Sequence, residues 1–210
     1  MSARDSQGGG RLVVISGPSG SGKTTIIEQL RQHPRVAVSV SVTTRPPRSN
    51  EVDGRDYHFV DRDAFMAMHA DDRFIETNDV FGNGHLYGSL WAELRENLAV
   101  PGRVYIMEVD VTGAANLLRR VTDLLDGKAA PTYIFIKPPS LDVLEQRLRK
   151  RGTDDDAAVE RRLGRARDEI AMAEAADAVM VTNESLEQAV DEIKRLVGLT
   201  HTTNGAAASS

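Results

Sequence analysis

The sequence predicts an α/β fold built around a parallel sheet with helices on both faces. Three observations carry that prediction. Four short runs are almost continuously apolar and rich in β-branched residues: LVVIS at 12–16, VYIMEV at 104–109, TYIFIK at 132–137 and AVMVT at 178–182. Strands covered on both faces read this way, whereas strands with one wet face alternate. Segments with a helical apolar period separate or follow these runs, and such alternation implies right-handed parallel crossovers. The chain has 210 residues, 40% hydrophobic and 27% charged, which suits one globular domain with a substantial core and room for insertions.

The elements follow in chain order. MSARDSQGGG, residues 1–10, is small and polar, has no hydrophobic period and reads as a disordered tail. It also lacks the apolar stretch of a secretory signal. The strand at 12–16 leads into a helix over TTIIEQLRQH, residues 24–33. Residues 37–90 break the rhythm. The pieces VSVSV, DYHFV, FIET and HLYGS, with glycine turns at 82–84, predict a small β-rich insertion beside the sheet. After the runs at 104–109 and 132–137, Ser140 stands where it can N-cap a helix over LDVLEQRLRKR, with Leu141, Leu144 and Leu148 as its apolar stripe. Gly152 can stop that helix, and Thr153 or Asp154 can cap the next, with Asp155 and Asp156 favourable in its first turn. Two short helices about a glycine hinge would make a closing lid within 140–170. Beyond the last strand, Leu186, Val190, Ile193 and Val197 recur at helical spacing, and THTTNGAAASS at 200–210 reads as a second tail.

Composition removes several classes of function. Lys and Arg number 26 against 31 Asp and Glu, a net charge of −5, so the chain is no general nucleic-acid binder and carries no polybasic membrane patch. Any anion site must be local. With no cysteine there is no disulfide, thiolate metal site or cysteine nucleophile, and a reducing cytoplasm is the simplest setting. No stretch of about 18 apolar residues is present to span a membrane. The five histidines, His33, His58, His69, His85 and His201, form no catalytic grouping and read as surface or packing residues.

Directly after the first strand comes GPSGSGKT, Gly17 to Thr24, which fits the phosphate-loop pattern G-x-x-x-x-G-K-[ST]. Gly17, Gly20 and Gly22 let the backbone approach an anion, and successive N–H groups at a helix N-terminus can cradle phosphates. Lys23 would reach the β- and γ-phosphates, and the Thr24 hydroxyl would ligate Mg²⁺. A GTPase would also need a base-reading N-K-x-D, and none is present. A second anion site is written into the insertion. Arg45 and Arg48 flank Pro46 and Pro47, whose fixed φ pre-aims both guanidiniums, with Tyr57 and Tyr87 adding hydroxyls.

These features belong to a longer pattern. VTTRPPRSNEVDGRDY at 42–57, FIE at 74–76, LYGS at 86–89, EVDVTG at 108–113, PPS at 138–140 and RLRKRGT at 147–153 resemble the guanylate kinase family in order and spacing, across almost all of residues 11–197. The resemblance implies a P-loop three-layer sandwich over 11–199, with a parallel core sheet, a β-rich GMP-binding insertion and a helical lid. It implies transfer of the γ-phosphate of ATP to GMP or dGMP, giving ADP and GDP, with Mg²⁺, in the cytoplasm, by a monomer or homo-oligomer. On the donor side it assigns Gly17, Pro18, Ser19, Gly20, Ser21, Gly22, Lys23, Thr24 and Thr25, with Asn183 as an adenine-side contact. Arg45, Arg48, Tyr57 and Tyr87 would hold the GMP phosphate. Glu76 would accept from guanine N1–H and the 2-amino group, and Ser41 and Ser89 would read the O6 side. Arg147, Arg151 and Arg162 would bridge the phosphates.

Two positions depart from the family. A stretch often written D-x-D-x-Q-G begins here with Glu108, and Asp110 is the better guanine-side or metal-shell group. Val42 stands where a hydroxyl is common.

The GMP phosphate is its own nucleophile, largely dianionic near neutrality, so no general base is needed; catalysis is positioning and charge neutralisation. Two rivals are weighed against this. A P-loop kinase for adenylate, a sugar phosphate or shikimate fits Glu76 poorly, because adenine N1 is an acceptor. A guanylate-kinase-like phosphopeptide-binding domain without chemistry would have no need of Lys23, Thr24 and the lid arginines.

Overall fold

In a computed structural model, the description covers residues 9–78, 84–125, 130–150, 152 and 155–199. The expected tails at 1–8 and 200–210, the turn residue Gly82, and Arg151, Thr153 and Asp154 lie outside the described residues.

The core sheet has five strands. They are β1 (Arg11–Ser16), β2 (Val36–Val38), β7 (Val104–Glu108), β8 (Thr132–Lys137) and β9 (Val179–Thr182), in the order β2-β7-β1-β8-β9. Every pairing is parallel, as the apolar runs predicted. Successive residues of β1 point to opposite faces. Val13 and Ile15 join Ile26, Leu30, Val190 and Ile193, from α1 (Lys23–Arg31) and α7 (Leu186–Leu196). Leu12 and Val14 join Leu94, Leu117 and Val121, from α3 (Trp91–Leu98) and α4 (Val111–Leu125). That alternation makes the three layers.

Between β2 and α3 lies a second sheet, in the order β4-β3-β6-β5. It comprises β3 (Val42–Thr43), β4 (His58–Phe59), β5 (Phe74–Asn78) and β6 (Tyr87–Leu90), with α2 (Arg62–Ala70) across it. Val42, Phe65 and Phe74 form its small core, the two phenylalanine rings stacked with centroids 4.5 Å apart. Val42, where a hydroxyl was expected, is thus a packing residue.

Several expectations need correction. VSVSV is not one strand of the insertion, because Val36–Val38 pairs with β7 in the core sheet and only Val42–Thr43 belongs to the second sheet. α2 lies inside the stretch expected to be β-rich; Asp61 caps it, accepting from Ala64 N–H at 2.7 Å. Gly10 is not part of a loose tail, since its N–H donates to Leu98 O at 2.7 Å. Leu186 is 37% exposed, so the buried stripe of α7 begins at Ala189 and Val190.

After β8, α5 (Leu141–Lys150) starts at Ser140, whose Oγ accepts from Val143 N–H. The next helix, α6 (Asp156–Ala175), has 20 residues and is not short. Its cap is Asp155, which accepts from Ala158 N–H at 2.7 Å, a contact worth about 1 kcal/mol. Leu144 and Leu148 of α5 pack on Val159, Leu163 and Ala166 of α6, and Arg149 ties Glu145 to Asp156. Among the described residues no helix is long and apolar enough to cross a membrane.

Candidate active site

The phosphate loop runs from the end of β1 into α1. Gly22 is the N-cap of α1 at φ 95°, in left-handed geometry that a side chain resists. A Cβ there would also stand 2.3 Å from Asn183 Nδ2. That amide is buried and donates to Ser21 O at 2.7 Å. The side chain expected on the adenine side thus also braces the loop. Lys23 Nζ donates to Gly17 O at 2.5 Å and Pro18 O at 3.3 Å, which holds the ammonium inside the loop. Thr24 and Thr25 are exposed on the first turn of α1, and the Ser21 hydroxyl is buried without a partner.

The α5–α6 pair closes on this loop. Arg162 Nη1 donates to Ser19 Oγ at 2.8 Å, and Arg147 Nη2 donates to Asn183 O at 3.1 Å. A Cβ on Gly20 would lie 2.9 Å from Leu144 Cδ1, so the loop backbone rests directly on the helical pair.

On the second sheet, Arg45 is gripped by Glu51. Nη1 and Nη2 reach Oε2 and Oε1 at 3.0 and 2.8 Å, and the guanidinium lies 5.4 Å from the Tyr57 ring centre. Glu51 also accepts from Arg48 N–H at 2.8 Å. The two arginines hold its carboxyl below the usual carboxylate range, Arg45 contributing most. The Arg48 side chain is 72% exposed, with Nη1 3.8 Å from Glu51 Oε1, whereas that of Arg45 is 13% exposed and held in two short bonds to the same carboxylate. Tyr57 packs edge-on to Tyr87 at 6.0 Å between centroids.

Glu76 and Ser89 are cross-strand partners in β5 and β6. The Ser89 hydroxyl, expected to read the O6 side of guanine, here donates to Glu76 Oε1 at 2.8 Å. Burial pushes the Glu76 carboxyl up to about 7, against the Ser89 bond and with help from the Asp110 charge. Asp110 caps α4 by accepting from Gly113 N–H at 2.6 Å, and it accepts from Asn78 Nδ2 at 2.7 Å. Ser41 anchors the insertion through its carbonyl, which accepts from His58 N–H at 2.9 Å.

Glu108 ends β7 beside Ile15, at the strand end that leads into the phosphate loop. Burial pushes its carboxyl up while the Lys23 ammonium pulls it back, and its charge in turn reaches the Tyr57 phenol. Two further groups escaped the sequence reading. Glu51 sits in the quoted stretch but was given no role. Glu169 on α6 is pushed up by burial and lies within reach of the charges of Lys23 and Asp110, and no local motif marks it. Among the described residues no group of three or more His, Cys, Asp or Glu side chains is arranged to hold a metal alone.

Comparison with known proteins agrees with this architecture. The family model described as guanylate kinase matches residues 9–199. A guanylate kinase of Gloeobacter violaceus is 46% identical over 188 residues, 89% of this chain and 86% of its own length. One from Neisseria meningitidis serogroup B is 43% identical over 189 residues, covering 90% and 87%. The crystal structure of guanylate kinase from Anaplasma phagocytophilum superposes with a TM-score of 0.67 at 29% identity, covering 94% of this chain and 89% of that one. A match that runs from Gly9 to Leu199, through the phosphate loop, the second sheet and the α5–α6 pair, places the chain in the guanylate kinase family.

Proposed function

We propose that the chain transfers the γ-phosphate of ATP to GMP or dGMP, with the phosphate loop as donor site and the second sheet as acceptor site. The observation that carries this reading is the pairing of two anion-binding arrangements in one chain: a glycine loop that holds Lys23 inside it, and a second-sheet arginine pair organised around Glu51. Lys23 would neutralise the donor phosphates. Arg45, Arg48, Tyr57 and Tyr87 would fix the acceptor phosphate, and Arg147, Arg151 and Arg162 would come over the transferring group as the α5–α6 lid closes.

Glu76 would read guanine, with Ser89 orienting its carboxylate and Ser41 and Asp110 beside it. Mg²⁺, when bound, would neutralise charge on the donor phosphates. The exposed Thr24 hydroxyl supplies one of the hard oxygen atoms it prefers, too few for a site without substrate. A cytoplasmic setting, where both nucleotides occur, fits the same reading.

The direct test is ADP production with GMP, dGMP, AMP, UMP and CMP as acceptors. ADP should form with GMP and dGMP; equal turnover with AMP, or ADP without any acceptor, would overturn the assignment.

The raised carboxyl of Glu76 makes a second expectation. Only the ionised form can accept from both guanine donors. With the carboxyl at about 7, the ionised fraction, and with it GMP affinity, rises about tenfold between about pH 6 and pH 8. Calorimetry with GMP across that range measures it, and Glu76→Gln should flatten the step. A GMP affinity that stays constant or weakens over the interval contradicts the role.

A further inference from the structure

The strand that carries Glu76 is irregular. Phe74 pairs with Leu90 and Glu76 with Ser89, so the register slips and Ile75 is the extra residue of a β-bulge. Ile75 is fully buried, not in the core of its own small sheet but in that of the main domain, against Leu94, Tyr105 and Leu117. A bulge takes its residue out of the hydrogen-bond ladder and re-aims the side chain that follows. Here that side chain is Glu76.

One guanidinium holds this irregularity. Arg120, on α4, donates through Nη1 to Phe74 O at 3.2 Å and Ile75 O at 2.8 Å. Its Nη2 donates to Asp72 Oδ1 at 3.1 Å, in the turn before β5, where Asp72 itself has φ 50°. The Trp91 ring, at the start of α3, lies 5.4 Å from the guanidinium carbon, with Arg95 at 5.5 Å from the same ring. Arg120 thus joins the turn before β5, the bulge and the first residue of α3, from a helix of the main domain. Because side chains alternate along a strand, a bulge that relaxes into regular pairing would turn Glu76 to the other face.

We propose that Arg120 is a positioning residue for base recognition: it fixes the bulge at Ile75 and so aims the Glu76 carboxylate at the base. The inference rests on the reading of Glu76 given above. Arg120 touches neither nucleotide in this scheme, and its effect passes entirely through the strand.

The test is Arg120→Met, which keeps the apolar stem beside Trp91 and removes the donors. The Arg120 side chain is 41% exposed, so the fold is expected to survive. The KM for GMP should rise, and the GMP-to-AMP ratio of kcat/KM should fall, each about tenfold, or 1.4 kcal/mol. The KM for ATP should stay within about twofold, below that same 1.4 kcal/mol step. Arg120→Lys, which keeps the charge and a donor, should recover part of the loss. Asp72→Ala, in an exposed turn, should shift the same quantities in the same direction by a smaller factor, and it carries the test if the methionine variant does not fold. An unchanged ratio, or losses shared equally between GMP and ATP, overturns the proposal. Glu76→Gln measured alongside separates the two ideas. If it leaves the ratio intact, base reading by Glu76 falls and the role of Arg120 falls with it. If it collapses the ratio while Arg120→Met does not, only the positioning role is lost.

Discussion

Lys23→Ala is expected to lower turnover by about 10²- to 10³-fold, the scale of losing one pre-organised donor at a reacting group, while GMP affinity holds. In the structure the loop's own carbonyls, Gly17 O and Pro18 O, keep the ammonium inside the loop. Alanine would leave the donor phosphates without their protein cation at the moment charge moves between them. The proposed acceptor clamp is built elsewhere, on the second sheet, where Glu51 holds the Arg45 guanidinium and the Arg48 N–H. Steady-state ADP formation and calorimetry with GMP alone make the measurement. A fall in GMP affinity matching the fall in turnover would show that the two anion sites are not separate.

Glu76→Gln should strip away guanine selectivity without creating an adenylate kinase. The Ser89 hydroxyl already donates to Oε1, which orients the carboxylate and leaves its remaining lone pairs for guanine N1–H and the 2-amino group. Glutamine keeps one acceptor but turns an amide N–H toward a guanine N–H. A site built to pair a substrate's N–H groups discriminates by up to about 10⁴-fold, because the wrong substrate leaves buried polar atoms unpaired. Most of that margin should go, chiefly through lower kcat/KM for GMP. AMP should gain little, since the glutamine amide oxygen would still face the adenine N1 lone pair. If the GMP-to-AMP ratio of kcat/KM stays within about twofold of wild type, well short of the 1.4 kcal/mol of a tenfold change, Glu76 does not read the base.

What could be read in the sequence was what depends on local chemistry. The β1 run and the glycine loop after it are adjacent in the chain, so strand, turn and helix N-terminus could be placed together. The parallel sheet could be read because LVVI and YIFI are buried on both faces. The second sheet was harder. Its β3 and β4 are two residues long, too short for a period, and VSVSV continues in pattern across the point where the chain leaves one sheet for the other. α2 was missed because a β-rich reading of its neighbours hid an Asp61 cap that sequence rules could have found. In the site, Asn183 was given a nucleotide contact because it follows a strand end. Its burial against Ser21 depends on where β9 sits beside the loop, 162 positions apart in the chain. Glu169 and Arg120 lie in the middle of helices with no motif, and only packing shows what they face.

The strand order also has a consequence for how the protein is made. Among the described residues β1 pairs with β7 and β8, and β2 pairs only with β7, so neither early strand finds its partner there until β7 is synthesised. Between Ser16 and Val104 lie 104 − 16 = 88 steps of translation, roughly 4 to 18 s at the usual pace of a ribosome. Through that interval the LVVI segment, wholly apolar and open on both edges, emerges with no ladder to join. All the partners of β3, β4, β5 and β6 lie within residues 42–90, so the smaller sheet can close first, with the long-range central sheet following. The nascent chain therefore carries its smaller sheet ahead of its core, with the bulge at Ile75 left to settle when α4 arrives, and β1 is the strand that waits longest.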